Sequence, residues 1–263
     1  SEMCIRDSVG DTAQGKTNLL EAIQIVAMTK SHRVSGDREL VNYHASQQNN
    51  AFCRICAEVK RVTGNIKLEI IYKLEGTVSE GQEESTPRIN SFVPLRKRFK
   101  VNDINQRAID MVGKVNIVMF TAQDIELIIG TPAIGRRYLD LVNCQIDSNY
   151  IRALQRYNKV LLQRNHLLRS MQEHQKVSPD QLEYWDIELV ETGSYIVAQR
   201  HRLVTALNGI ITGVHEGLVR GTAKLELGYS SNLGDEEELA EISHQYRLAL
   251  NQTRGSEIAR GMT

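Results

Sequence analysis

The chain holds 263 residues, enough for one large domain or two smaller ones with a real core. Lys plus Arg and Asp plus Glu both number 32, so overall charge announces no nucleic-acid partner and any such surface must be local. No apolar run approaches the roughly eighteen residues of a membrane span, and sparse Cys without an export signal points to a reducing cytoplasm.

Residues 1–8 (Ser-Glu-Met-Cys-Ile-Arg-Asp-Ser) do not fit the segment that begins at Gly10. A phosphate loop normally hangs from a buried strand, yet Arg6 and Asp7 stand where an apolar run belongs. The stretch is too short and too charged for a signal peptide. It resembles a translated sequencing-adaptor remnant, so residues 1–8 are read as non-native and the chain as cut at its front.

Gly10, Asp11, Thr12, Ala13, Gln14, Gly15, Lys16 and Thr17 spell G-x-x-x-x-G-K-[ST], a nucleotide-binding phosphate loop. Gly10 and Gly15 permit the turn that aims successive N–H groups into one concavity. A helix starting there adds partial positive charge for an anion. Lys16 can reach the outer phosphates of ATP, and the Thr17 hydroxyl can serve Mg²⁺. Leu19, Leu20, Ile23, Val26 and Ala27 recur at helical spacing and predict one buried face.

The polar stretch from Lys30-Ser-His-Arg33 to Asn50 is either a solvated loop or one folding back over the nucleotide. Ala51–Val62 alternates as a half-buried strand, with Cys53, Ile55, Ala57 and Val59 on one face. Cys53 and Cys56 then point to opposite faces, which argues against a metal or redox pair. Ile66–Leu74 is a second strand behind a tight turn at Thr63-Gly-Asn65, and Gly76–Asn90 reads as a flexible connection. Arg96-Lys-Arg-Phe-Lys-Val-Asn102 is a basic strand. Its pattern favours an edge strand defended by charge, with Arg96, Lys97 and Arg98 as the competing candidates for DNA contact.

Val115–Phe120 is nearly all apolar, as for a strand covered on both faces. It ends without the carboxylate that holds Mg²⁺ in P-loop hydrolases, because Asp124 comes four residues late. No other apolar strand ends in paired acids, so no catalytic residue is assigned. Thr131-Pro132 opens a helical region reaching about Gly221. Ile151, Leu154, Asn158, Leu161, Asn165 and Leu168 recur at heptad spacing, as do Leu182, Trp185, Leu189, Thr192, Ile196, Gln199 and Leu203. They predict an antiparallel hairpin whose second helix starts with the capping box Ser178-Pro-Asp-Gln181. Arg152, Arg156 and Lys159 face outward, as a solvated face or a DNA-facing stripe. Ala223–Ser230 reads as a returning strand and Glu236–Leu250 as an amphipathic helix. Ile258–Thr263 carries no capping signal, and the chain is read as cut there too.

Several stretches resemble the bacterial RecF family. They are Gln14-Gly-Lys-Thr-Asn-Leu-Leu-Glu-Ala-Ile23, Lys30-Ser-His-Arg33, Lys97–Asn102, Val112-Gly-Lys-Val-Asn116 and Phe120–Leu127. Arg136-Arg-Tyr-Leu-Asp140, Tyr157–Asn165 and Arg260-Gly-Met-Thr263 continue the resemblance in order. It implies an α/β fold, the P-loop NTPase head of ABC/SMC type with an antiparallel β portion, plus an inserted all-helical lobe. Residues 9–130 and 222–263 would form part of the ATP-binding head, and 131–221 the second lobe. It further implies ATP and Mg²⁺ as cofactors, DNA at single-strand/double-strand junctions, ATP-driven homodimers, and RecO and RecR as partners in repair, replication and recombination. Intact members would be weak DNA-dependent ATPases. Ala13 departs from the glycine usual in the family loop, and Ala122-Gln123 from Pro-Glu. The signature motif and Walker B strand would lie beyond Thr263. Two alternatives stand beside this reading: a helical partner-binding module with a degenerate loop, and a different P-loop NTPase.

Overall fold

The computed structural model describes residues 7–31, 33–34, 36–42, 51–75, 94–174, 179–218, 224–234 and 238–263. They belong to two compact units that divide between Thr121 and Ala122. The expected loop at Gly76–Asn90 and the capping serine Ser178 lie outside the described residues, as do positions 43–50 of the polar stretch.

In the first unit four antiparallel strands stand in sequence order: β1 (Phe52–Val59), β2 (Ile66–Leu74), β3 (Leu95–Val101) and β4 (Ile104–Gln106). The β1–β2 hairpin closes with Val59 opposite Ile66, and Gly64 takes a φ of 116° in the turn. Alternation sends Ile66, Leu68, Ile70, Tyr72 and Leu74 to one face, where they are buried. β3 and β4 join through Asn102 and Asp103, whose φ values of 49° and 65° are those of a two-residue type I′ turn. The edge-strand expectation for β3 is met only in part. β2 pairs with all of it, while β4 covers the other side from Phe99 to Val101 and leaves Leu95 to Arg98 without a second strand among the described residues.

Helix α1 (Lys16–Met28) packs on the buried sheet face through Ile25 and Val26, with Val41 and Met111 completing the core. Met111 is delivered by the short helix α2 (Ala108–Met111). The buried face of α1 is therefore rotated from the one expected. Val26 and Ala27 are buried, but Leu19, Leu20 and Ile23 are 55%, 56% and 48% exposed. The helix is apolar on two sides, and the sheet takes only one of them. Residues 115–120 form no strand, contrary to expectation, and Val118 and Phe120 are exposed. No strand stands beside that stretch among the described residues to complete its hydrogen bonding.

The second unit is helical: α3 (Glu126–Ile129), α4 (Pro132–Ile146), α5 (Ser148–His174), α6 (Glu183–Leu218) and α7 (Leu239–Arg260). Thr131 and Pro132 start α4 as expected, although the Thr131 side chain makes no capping bond. α5 and α6 form the antiparallel hairpin and α7 packs on both, so residues 239–260 cluster with these helices and not with the first unit. Val160, Leu189, Val190 and Leu250 form one shared core, flanked by Tyr157, Trp185 and Tyr246. Gly193 makes that crossing possible, because a Cβ there would lie 2.8 Å from the Tyr246 ring and 3.1 Å from the Tyr157 ring.

The heptad seam is real but incomplete as read, since Asn158 is exposed while Arg164 is wholly buried. Arg164 donates to Asp186 on α6 at 2.7 Å, to Glu257 on α7 at 2.8 Å and to the Thr263 hydroxyl at 2.6 Å. Arg254 reaches the other Asp186 oxygen at 2.7 Å. The end of α7 is capped after all: Gly261 takes a φ of 68°, and the Met262 and Gly261 amides bond back to Glu257 and Ile258. The returning strand expected at Ala223–Ser230 is absent over 224–230. There the backbone of Leu227 is satisfied by the Asn208 side-chain amide, as donor and as acceptor, each at 2.8 Å. Tyr229 packs edge-on against the buried His201.

Candidate functional site

The phosphate loop leads directly into α1, whose N-cap is Gly15. No side chain caps this helix start, and its first turn carries no acid. The orphan N–H groups and the positive end of the helix are therefore left for an anion. Gly15 takes a φ of 86°, with open space around its α-carbon, so backbone conformation and not crowding demands glycine here. The loop's other left-handed residue is Ala13, with a φ of 67°, and not Gly10. An L-residue held there costs about 1–2 kcal/mol, which the usual family glycine avoids.

Lys16 folds back across the loop and donates to the Gly10 and Asp11 carbonyls at 2.5 and 2.6 Å. Those bonds hold the ammonium over the concavity. A phosphate oxygen is a stronger acceptor than either carbonyl. Residues 12–18 and Arg33 line a recess of about 350 Å³, and Thr17 is among them with an exposed side chain. The eight expected residues thus run through the loop into the first turn of α1, with six of them (Thr12 to Thr17) on the recess wall.

Arg33 is the site residue that pattern reading missed. Its guanidinium donates to Glu21 of α1 at 3.0 Å and to Asn18 at 3.3 Å. Ser31 also donates to Glu21 and accepts from the Arg33 amide at 3.0 Å. Glu21 is buried, so this tie anchors the segment after α1 beside the loop. The signal was the cluster Lys30-Ser-His-Arg33 directly after the helix. Of that stretch, Arg33 lines the recess beside the loop, while positions 43–50 lie outside the described residues.

The other candidate cations divide. Register places Lys97 opposite Tyr72 on the core side of the sheet, where it pairs with Asp37. Arg96 and Arg98, opposite Lys73 and Ile71, point the other way. The three therefore do not share one face. In the second unit Arg152 and Lys159 are exposed, while Arg156 is held by both Glu188 oxygens at 2.6 Å. Cys53 is half-buried on one face of β1 and Cys56 exposed on the other, as strand alternation requires.

No protein-family model matches the chain. It is 36% identical over 261 residues to the DNA replication and repair protein RecF of Chloroflexus aurantiacus, covering 97% of this chain and 64% of that protein. RecF of Shouchella clausii is 33% identical over 258 residues, with 97% and 63% covered. A solved structure of the recombination mediator protein RecF with ATPrS, of the RecFOR pathway, superposes with a TM-score of 0.78 at 28% identity, over 97% of this chain and 62% of that one. A second, described as RecF with ATP, gives the same TM-score over 96% and 61%. The chain spans a little under two thirds of the length of these relatives. Over that span, with a phosphate loop, an antiparallel sheet and a helical portion, the chain is similar in sequence and fold to the RecF proteins, P-loop proteins of ABC/SMC type.

Proposed function

We propose that the chain is the nucleotide-holding portion of a RecF-type recombination mediator that associates with DNA under the control of ATP. The observation that carries this is the recess at the start of α1, where uncapped helix N–H groups, Lys16 and Arg33 converge on one volume. That set suits a triphosphate: backbone donors and Lys16 for the outer phosphates, the Thr17 hydroxyl toward Mg²⁺. Bound Mg²⁺ would neutralise charge between the phosphates. The residues of this chain bind and orient, and among the described residues no carboxylate lines the recess to complete a metal site.

In this reading the intact protein closes ATP-bound homodimers, engages single-strand/double-strand junctions, and works with RecO and RecR at gaps in the cytoplasm. Residues 9–130 and 222–263 belong to the head, and 131–221 to the helical lobe. That division rests on likeness to the family, since within the chain α7 packs on α5 and α6. The strained Ala13 favours one competing reading, a degenerate loop on a helical partner-binding module.

Gap-DNA binding and dimerisation by the intact protein with ATP, measured for Lys16 and for Lys16→Ala, separate the two. Loss of both in the variant supports the mediator reading. Unchanged binding and dimerisation would replace it with the partner-binding module.

A further inference from the structure

The outward face of the first unit's sheet carries a charge pattern that chain order hides. Register puts Phe52, Lys73 and Arg96 in one cross-strand row, and Arg54, Ile71 and Arg98 in the next. Lys100 and Lys67 lie further along the same face, beside Glu69 and Glu58. Six cations thus share a face with two strand carboxylates in a chain of zero net charge. The two rows starting at Phe52 and Arg54 contain four of the cations and no acid.

The ion pairs sharpen this. Glu69 takes Arg54 at 2.5 Å and Lys100 at 2.7 Å, and Asp103 takes Lys67 at 3.0 Å. Arg96 meets Glu75 at 3.0 Å in an exposed pair of the kind that contributes little. Lys73 and Arg98 are exposed and have no carboxylate partner among the described residues. Phe52, which begins the same row as Lys73, is 59% exposed. Strands about 4.8 Å apart make the three-strand band about 10 Å wide.

We propose that this face is a binding site for single-stranded DNA. Phe52 stacks on an unpaired base while Lys73, Arg96, Arg54 and Arg98 take the phosphates beside it. An aromatic ring can stack only on a base that is already unstacked, which a closed duplex does not offer. The inference deepens the DNA-binding reading above and rests on it. It also moves the contact surface off Lys97 and onto residues from three strands.

The test is fluorescence anisotropy of the 263-residue chain with ATP and Mg²⁺ present, using a labelled oligothymidylate and a blunt duplex, over a series of salt concentrations. Phe52→Ala and Phe52→Leu should weaken single-strand binding about 5- to 100-fold, and Phe52→Tyr should restore it. Lys73→Ala with Arg98→Ala should lower the salt slope by about 0.7 for each cation removed. Lys97→Ala should change neither quantity. Circular dichroism melting shows that each variant is folded.

If the unaltered chain binds neither probe, the DNA-binding reading itself fails. If it binds, but Phe52→Leu and the double variant leave Kd and slope unchanged, DNA binding stands and this face is not its site. Equal losses on duplex and single strand for Phe52→Leu would overturn the single-strand assignment.

Discussion

Replacing Arg164 by Met removes the cation on which α5, α6 and α7 converge. Its side chain is wholly buried, and it faces Asp186 and Glu257, whose side chains are 12% and 4% exposed. The substitution keeps volume but strands Glu257 with no cation, whereas Asp186 keeps Arg254 at 2.7 Å. Breaking a buried ion pair from one side costs about 3–5 kcal/mol. The surviving Arg254 contact puts this case at the lower end, about 3 kcal/mol, or about 6–12 °C in Tm for a chain of this size. Far-ultraviolet circular dichroism melting reads it directly, because the second unit is helical. Adding Glu257→Gln to Arg164→Met should recover part of the loss by removing the stranded charge. A Tm drop under about 2 °C, or a double variant less stable than Arg164→Met, would refute the view that this ionic centre clamps α7 to the hairpin.

Three further outcomes are expected from the loop and the sheet. Ala13→Gly relieves about 1–2 kcal/mol of left-handed strain against about 0.5–1 kcal/mol of added chain entropy, so the chain should be stabilised by about 0–1.5 kcal/mol in thermal melting; a clear loss of stability would show that residue 13 is not strained in the folded loop. Lys100, then Arg54, donate to the Glu69 carboxylate and hold its pKa down from the ordinary 4.5 to about 2. Its stabilising contribution is therefore complete above about pH 4.5 and lost as pH falls toward 2; acid denaturation of Glu69→Gln should be shallower across that window, and identical curves would contradict this. The isolated chain should bind ATP without turning it over, since no carboxylate among the described residues lines the recess; Lys16-dependent phosphate release would refute that.

Much of the first unit was legible because strand period and turn chemistry are local. β2 matches its predicted bounds, and β1 alternates as read. The β3–β4 turn was not legible although Asn102-Asp103 is a type I′ pair, because a turn without glycine at either central position is a weak signal. Residues 115–120 and 224–230 have strand-like composition, but a strand exists only where a neighbour supplies hydrogen bonds, and composition cannot report that. The loop was legible from spacing, and its strain at Ala13 agrees with the departure from glycine. Arg33 and Arg164 were not legible as site and clamp. Their partners lie 12 and 93 residues away at Glu21 and Glu257, so only the fold brings them together.

The most direct test of the central claim is a titration of this chain with a fluorescent ATP analogue and Mg²⁺, compared with Lys16→Ala. Removing one charge-assisted donor to phosphate costs about 1.5–3 kcal/mol, so the account predicts saturable binding that weakens about 10- to 150-fold in the variant. Equal affinities for the two chains, or no binding by the unaltered one, would contradict it.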